Sequence, residues 1–185
     1  MSRPAFTGLP RLVLLLTLAA GTPLLAADPP PASAEATTRA LYAAVSAPAG
    51  SVPDWAKVRE FFVPESVVVL RTSRTESKVF SLDGFVKDFV DFYETPRPWG
   101  DGTLAPREKG FTETVLASRA EEVGDAAQVA VLYEARITGL PRPPTRGVDL
   151  WVLSRRDGRW KIVAVVNEVL GGDRTLPPGL FPSAP

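Results

Sequence analysis

The sequence predicts an α+β domain in which a group of helices lies on one face of a curved antiparallel sheet. Helical patterns are confined to residues 36–94, whereas residues 110–170 contain consecutive strand patterns. Helices and antiparallel strands that are segregated along a chain are typical of α+β folds, because each apolar sheet face must be covered by another layer. The length of 185 residues suits one domain.

Three helices are predicted in the first half. The first covers residues 36–46, where alanine, leucine and valine form an apolar stripe at helical spacing. The second begins after Asp54, a favourable N-cap residue, and is expected to end at Pro64. The third follows the N-cap residue Ser81 and continues to Glu94, with a broad apolar face.

Strands are predicted between the helices and throughout the second half. A β-branched run at residues 67–72 indicates a strand, and residues 74–80 could form its hairpin partner. Residues 110–124 and 127–139 indicate two long strands, and a proline-rich loop follows them at 140–145.

The clearest element is a β-hairpin over residues 145–170. Its turn contains Asp157-Gly158, and Asp-Gly between two apolar runs is a strong hairpin signal. Both faces of both strands are largely apolar, which indicates a hairpin covered on both sides. Strict alternation would place Trp151 and Trp160 on opposite faces, one towards the interior and one towards the outer surface.

The N-terminus has the pattern of a secretory signal peptide. Arg3 and Arg11 are followed by an apolar run over residues 12–20 and by small residues at Ala26 and Ala27. We therefore expect a periplasmic or secreted protein cleaved near Ala26 or Ala27; an uncleaved membrane anchor is the alternative. The predicted segments are a signal peptide (1–27), a proline-rich spacer (28–34), the domain (35–170) and a proline-rich tail (171–185).

The composition excludes several kinds of chemistry. The chain has no cysteine and no histidine, so that Ser-His and Cys-His nucleophiles cannot form and a transition-metal site is not expected. It contains 21 basic and 21 acidic residues and no basic stripe, which argues against nucleic acid and, after signal cleavage, against a membrane surface. No glycine-rich phosphate loop is present, and we expect no cofactor.

The chain resembles the nuclear transport factor 2-like superfamily, also called SnoaL-like. The resemblance rests on residues 54–69, 81–93, 110–136 and 146–169, with Gly124-Asp125, Arg146-Gly147 and the DGRW run at 157–160 as its most specific motifs. It implies a bent sheet wrapped around helices to form a cone with a pocket at its open end. Many members of the superfamily dimerise through the outer sheet face, and the superfamily includes isomerases, polyketide cyclases, dehydratases and non-catalytic binders, so that the fold alone does not define the function.

Asp149 is the candidate for a catalytic residue. Ketosteroid isomerases place an acid on the penultimate strand, where it donates a hydrogen bond to a developing oxyanion, and Asp149 matches that position by resemblance. The alternative is that Asp149 forms an ion pair with Arg146, Arg136 or Lys161. The isomerase's general base falls at Leu70, which cannot accept a proton, and this argues against isomerase activity.

The resemblance also indicates which residues line the pocket. We expect Trp151 and Asp149 to point inwards from one strand and Val163, Val165 and Asn167 from the next. Tyrosines on the first and third helices and on a central strand could direct hydroxyls into the pocket, or could simply fill the core. The predicted ligand-binding residues are Tyr93, Tyr133, Asp149, Trp151, Val163, Val165 and Asn167.

Three functions remain open. We favour an exported, non-catalytic domain whose apolar pocket binds a small apolar or amphipathic molecule or a partner protein. The second is an isomerase, cyclase or dehydratase that uses Asp149 with a pocket tyrosine. The third is an assembly role for a cone that its own side chains fill. An apolar outer face formed by Val148, Leu150 and Val152 predicts a homodimer.

Overall fold

The computed structural model describes residues 31–99 and 102–181. The predicted signal peptide, the start of the spacer and the last residues of the tail lie outside the described residues. The described helices are α1 (Ala34–Ala44), α2 (Trp55–Arg59), α3 (Leu82–Glu94) and α4 (Pro106–Lys109). The described strands are β1 (Phe62–Arg71), β2 (Ser77–Ser81), β3 (Arg97–Trp99), β4 (Gly102–Leu104), β5 (Phe111–Val123), β6 (Ala126–Ile137), β7 (Thr145–Arg156) and β8 (Arg159–Val169).

Six strands form one curved sheet in the order β2-β1-β8-β7-β6-β5. The last four long strands form the predicted antiparallel meander, and β2 pairs antiparallel with β1. However, β1 runs parallel to β8, so that the sheet is mixed rather than wholly antiparallel. Strands β3 and β4 form a separate small hairpin that the sequence did not predict. The α+β class is confirmed.

Two of the three predicted helix starts are confirmed by their caps. The Asp54 side chain accepts hydrogen bonds from the backbone N–H groups of Ala56 and Lys57, and the Ser81 side chain accepts one from Gly84. These bonds satisfy N–H groups that have no partner within their own helix. Helix α1 begins earlier than predicted, because Ser33 provides its N-cap.

The predicted end of the second helix is wrong. The helix ends at Arg59, and Pro64 lies inside β1 rather than at a helix end. The pairing of β1 with β8 is irregular between Phe62 and Val67. Proline is tolerated in such a bulge because the residue does not have to donate an N–H to the hydrogen-bond ladder. The buried Ser66 hydroxyl lies within this irregular segment.

A β-bulge in β8 corrects the predicted facing of its side chains. Val152 pairs with Ala164 but Leu153 pairs with Ile162, which leaves Val163 without a partner in β7. The extra residue shifts the alternation of β8, so that even-numbered side chains before it and odd-numbered side chains after it face the inner side.

The predicted opposite faces of Trp151 and Trp160 are wrong. Trp160 pairs with Arg155, which shares a face of β7 with Trp151, so the register set by the turn places both tryptophans on the same side. Trp160 is only 4% exposed and belongs to the same core cluster as Trp151.

Helices α1 and α3 cover the inner face of the sheet. Helix α1 contacts β5, β6 and β8, and α3 contacts β1 and β2. The main core cluster includes Leu41, Val58, Val68, Phe85, Val129 and Ile162. A second cluster contains Ala47, Tyr93, Phe111 and Ile137. Both clusters pack helix residues against the inner face of the sheet, and the candidate site lies on that same face.

The outer face of the sheet is apolar but only partly as predicted. Leu150 is 51% exposed and Val152 is 43% exposed, whereas Val148 is buried at 8% and offers little surface to a partner. Val166, on the neighbouring strand, is 50% exposed and pairs with Leu150. Within residues 31–99 and 102–181, no helix is both long and apolar enough to cross a membrane.

Candidate functional site

A cavity of about 200 Å³ lies between the inner face of the sheet and helices α1 and α3. Most of its wall is apolar, and includes Leu41, Val45, Leu70, Phe85, Phe89 and Val165. A largely apolar wall with a few polar groups is typical of sites for small molecules.

Five of the polar side chains that line this cavity come from five different elements. Glu113 comes from β5, Tyr133 from β6, Asp149 from β7, Asn167 from β8 and Tyr42 from α1. Their convergence follows from the strand order, because these four strands are neighbours in the sheet. Asp149 and Asn167 are direct cross-strand partners, which places their side chains side by side.

Asp149 is buried and accepts hydrogen bonds from two neutral groups. The Tyr42 hydroxyl donates to Oδ2, and Asn167 Nδ2 donates to Oδ1 at 2.7 Å. Burial raises the pKa of Asp149 to about 6, while the two hydrogen bonds stabilise the anion and oppose the rise. The carboxyl therefore ionises near neutral pH inside an apolar cavity.

The ion pairs considered for Asp149 do not form. Arg146 and Arg136 both pair with Glu134, at 3.3 and 3.4 Å. Lys161 instead donates to the backbone carbonyl of Glu60. The carboxyl of Asp149 is thus held in the cavity by hydrogen bonds rather than neutralised at a sheet edge.

Asn167 connects Asp149 to Tyr133. Its Nδ2 also donates to the Tyr133 hydroxyl oxygen at 2.9 Å, and its Oδ1 accepts from the Arg71 backbone N–H at 3.3 Å. With all these bonds made, the amide has one orientation. Trp151 Nε1 donates to the Tyr42 hydroxyl oxygen at 3.4 Å and completes the network.

The Tyr133 hydroxyl accepts a hydrogen bond but donates none to the described residues. Burial raises the pKa of Tyr133, with added contributions from the Asp149 and Glu113 charges, so that its proton is retained at neutral pH. Its ring lies over Gly147, the residue opposite it on β7. A Cβ atom at Gly147 would lie 2.4 Å from the hydroxyl oxygen, so only glycine allows this position.

Glu113 is the second carboxyl group of the cavity. Its backbone N–H is held by the Ser46 hydroxyl at 2.9 Å, but no described side chain donates to its carboxyl or forms an ion pair with it. Burial raises the pKa of Glu113 to about 8, and the negative charge of Asp149 adds to the rise. Glu113 is half-buried and lines the cavity. At neutral pH Glu113 therefore holds a proton while Asp149 is largely ionised.

The site thus offers different hydrogen-bonding roles in a small volume. Glu113 and Tyr133 are donors, and Asp149 is an acceptor whose charge is spread over bonds to Tyr42 and Asn167. Burial, and next the charge of Asp149, raises the pKa of Tyr42, so this hydroxyl also stays protonated. Two carboxyl groups whose environments separate their protonation states are the arrangement that acid–base chemistry requires.

The structure brings together most of the residues predicted to bind a ligand. Tyr133, Asp149, Trp151, Val165 and Asn167 line the cavity, and their binding role stays a prediction.

Two predicted residues lie elsewhere, and these placements are corrected. Val163 is the bulge residue of β8 and does not line the cavity. Tyr93 is fully buried in the second cluster, where its hydroxyl donates to the Val45 carbonyl at 2.8 Å. Leu70 does line the cavity, so the position of the isomerase's base is occupied by an apolar side chain.

Two residues that line the cavity, Glu113 and Tyr42, were not among the predicted site residues. Glu113 alternates with Phe111 and Val115 on β5, and this sharing of a face with apolar residues was the signal that could have identified it. Tyr42 was considered only as a possible hydroxyl donor. Its partner Asp149 lies 107 positions away in the chain, a contact that no local pattern predicts.

The acidic residues of the site do not resemble a metal centre. In the described part of the chain, no group of three or more carboxylates could hold a metal ion.

Comparisons with known proteins bear on the fold. No family model and no curated protein sequence matches the chain. Among solved structures, a candidate calcium/calmodulin-dependent protein kinase type II association domain from Thiobacillus denitrificans is 14% identical, with a TM-score of 0.55, over 78% of this chain and 100% of that chain. A candidate aromatic ring hydroxylase from Novosphingobium aromaticivorans is 15% identical, with a TM-score of 0.54, over 75% of this chain and 87% of that chain. A nuclear transport factor 2-like protein of unknown function from Silicibacter pomeroyi is 17% identical, with a TM-score of 0.48, over 74% of this chain and 92% of that chain.

The chain shares its fold with the association domain and the ring hydroxylase, which is consistent with the nuclear transport factor 2-like fold that its sequence resembles. All three identities are low enough that the comparisons concern the fold alone. Any conclusion about function must come from the cavity and its side chains.

Proposed function

We propose that this protein binds a small, mostly apolar molecule that carries a hydroxyl or carbonyl oxygen. The apolar part fills the cavity beside Phe85 and Phe89, and the oxygen meets the polar group formed by Tyr133, Glu113 and Asp149. Aromatic side chains in the wall favour a ring as the apolar part.

The cavity limits the size of the ligand. Its volume is about 200 Å³. An apolar cavity of about 150 Å³ holds one benzene molecule, and drug-sized ligands occupy about 300–1,000 Å³. A ligand with one ring and a short substituent therefore fits, whereas a steroid does not.

One observation carries this proposal: the Tyr133 hydroxyl keeps a proton that it donates to no described residue. Its oxygen already accepts from Asn167, so only its O–H remains free for a ligand. A hydrogen bond from this O–H to a ligand oxygen contributes about 0.5–1.5 kcal/mol.

The test compares 4-ethylphenol with ethylbenzene, which has the same carbon skeleton and no oxygen. We expect 4-ethylphenol to bind more tightly, and Tyr133→Phe to weaken its binding about tenfold, which corresponds to 1.4 kcal/mol. Ethylbenzene binding should change little. Isothermal titration calorimetry measures both affinities.

Tyr93→Phe is the matched control, because it removes a buried hydroxyl that lies outside the cavity. It should lower the free energy of unfolding by about 1 kcal/mol and leave both affinities unchanged. Equal loss of 4-ethylphenol binding in both variants would contradict the proposed contact. Native mass spectrometry of protein purified from its own host would then identify any co-purifying molecule.

The two carboxyl groups favour a second candidate, a proton-transfer enzyme. In this reaction Asp149 removes a proton from the carbon next to a carbonyl group, and Glu113 donates its proton to the carbonyl oxygen, which gives the enol. Asp149 then returns a proton to carbon while the enol hydroxyl returns its proton to Glu113, which regenerates both residues. Such transfer needs one ionised and one protonated group in the same cavity.

Proton exchange tests this candidate without a known substrate. We expect the protein to accelerate deuterium exchange into the methyl group of 4-hydroxyacetophenone, followed by NMR, with the fastest rate between pH values of about 6 and 8. Asp149→Asn and Glu113→Gln should each remove the acceleration. Exchange no faster than in buffer would exclude this reaction for that ketone and leave the binding proposal intact.

We also propose a homodimer of an exported protein. The dimer would bury the exposed outer-face side chains Leu150, Val152 and Val166, and an association domain is among the proteins that share the fold. Light scattering should give twice the chain mass for the wild type and a lower mass for Leu150→Lys. A strictly monomeric wild type at high concentration would contradict the dimer.

The intact mass of protein from its host tests cleavage near Ala26 or Ala27.

A further inference from the structure

A groove adjoins the candidate cavity and shares two of its wall residues. Arg71 and Val169 line both the cavity and this groove, whose volume is about 360 Å³. The remaining groove residues belong to the segments 72–74 and 170–174. The cavity and the groove are therefore neighbours that meet at Arg71 and Val169.

The groove brings together three arginines because of the sheet topology. Strands β1 and β8 are parallel, so both end at the same edge of the sheet. Arg71 is the last residue of β1, Arg74 follows in the next turn, and Arg174 lies just beyond the end of β8.

These arginines are only partly neutralised. Glu168 accepts hydrogen bonds from Arg71 Nε and Nη2 at 3.1 and 2.6 Å and pairs with Arg174 Nε at 3.2 Å. Arg74 pairs with Asp173 at 3.4 Å. Three guanidinium groups face two carboxylates, and the groove therefore has one excess positive charge. The hydrogen bond from Arg71 holds the pKa of Glu168 below its usual value, so that Glu168 remains ionised.

Two of the arginines have unused donors in partly shielded positions. Nη1 of Arg71 and Nη1 of Arg174 donate to no described residue. Their side chains are 21% and 27% exposed, compared with 73% for Arg74. Partly desolvated guanidinium groups bind carboxylates through strong, directional hydrogen bonds.

We propose that the ligand is a small aromatic carboxylate whose ring occupies the cavity and whose carboxylate lies in the groove between Arg71 and Arg174. The single negative charge of a carboxylate matches the single excess positive charge of the groove. The reverse orientation would place the carboxylate against ionised Asp149, which like-charge repulsion disfavours. This inference rests on the proposed function, because the cavity must hold the ring.

The test compares 4-hydroxyphenylacetate with the neutral 4-ethylphenol by calorimetry at low salt. We expect the carboxylate to bind about tenfold more tightly, and this advantage to shrink as salt screens the arginines. Arg174→Gln should remove most of the advantage while leaving 4-ethylphenol affinity within about twofold. Asp173→Asn, which removes an exposed carboxylate, should strengthen carboxylate binding.

Arg119→Gln is the matched control, since Arg119 forms an ion pair with Glu121 at 2.7 Å outside both the cavity and the groove. It should leave both affinities unchanged. Equal affinity for the two probes, or an Arg174→Gln variant that retains the advantage, would overturn this inference and leave the proposed function standing. Failure of both probes to bind the wild type would overturn the one-ring ligand itself.

Discussion

Replacing Glu113 by glutamine tests whether the cavity holds a protonated carboxyl group. Burial raises the pKa of Glu113 from 4.5 to about 8. Between these pH values the folded protein binds this proton and the unfolded chain does not. The free energy of unfolding must therefore fall as the pH rises from about 4.5, and the fall must stop above about 8. Glutamine has no proton to lose, so Glu113→Gln lacks this contribution.

The size of the effect follows from the shift. Each pKa unit corresponds to 1.36 kcal/mol, which gives an upper bound of about 5 kcal/mol for Glu113 at high pH. Because Glu113 is half-buried and lines the cavity, solvent screens the charge and we expect about 2 kcal/mol. Glu113→Gln should therefore match the wild type at pH 5 and exceed its stability by about 2 kcal/mol at pH 9.

Urea unfolding followed by tryptophan fluorescence at several pH values measures this difference. Asp149 also has a raised pKa and lowers stability as the pH rises through about 4–6, but it is present in both proteins and largely cancels in the comparison. Glu121→Gln, on the same strand but exposed, is the control and should stay within about 0.5 kcal/mol of the wild type. Parallel pH profiles for the wild type and Glu113→Gln would refute the reasoning.

Two further predictions concern the structure that supports the site. Gly147→Ala should lower the free energy of unfolding by about 1–3 kcal/mol and weaken 4-ethylphenol binding, because a Cβ 2.4 Å from the Tyr133 hydroxyl oxygen displaces the ring. Urea unfolding and calorimetry measure the two effects. Gly102→Ala, whose Cβ meets no atom within 4 Å, is the control and should change little in both measurements. Ser66→Ala should lower the free energy of unfolding by about 1–3 kcal/mol, because the buried hydroxyl lies 2.6 and 2.8 Å from the carbonyl oxygens of Val63 and Ile162. An unchanged urea midpoint for Ser66→Ala would show that these carbonyls find other partners.

The sequence by itself determined the local elements of this protein. The caps at Asp54 and Ser81, the Asp157-Gly158 turn and the four C-terminal strands all depend on residues close together in the chain, and the structure confirms them. The resemblance to a known superfamily added the helix-covered curved sheet and placed Asp149 on an inward face. The lack of histidine and cysteine, which is a property of composition alone, excluded imidazole and thiol groups from the site.

Only the tertiary structure decided how those elements combine into a site. The bulge at Val163 reverses the alternation of β8, so that Val165 and Asn167 after it face the cavity. Nothing in the apolar sequence of β8 marks where the extra residue falls. The pairing of β1 with β8 and the contact of Tyr42 with Asp149 join distant residues, because strand order and helix packing are set by the whole core. The protonation of Glu113 likewise depends on burial and on the charge of Asp149 from another strand, which are properties of the folded cavity rather than of either residue.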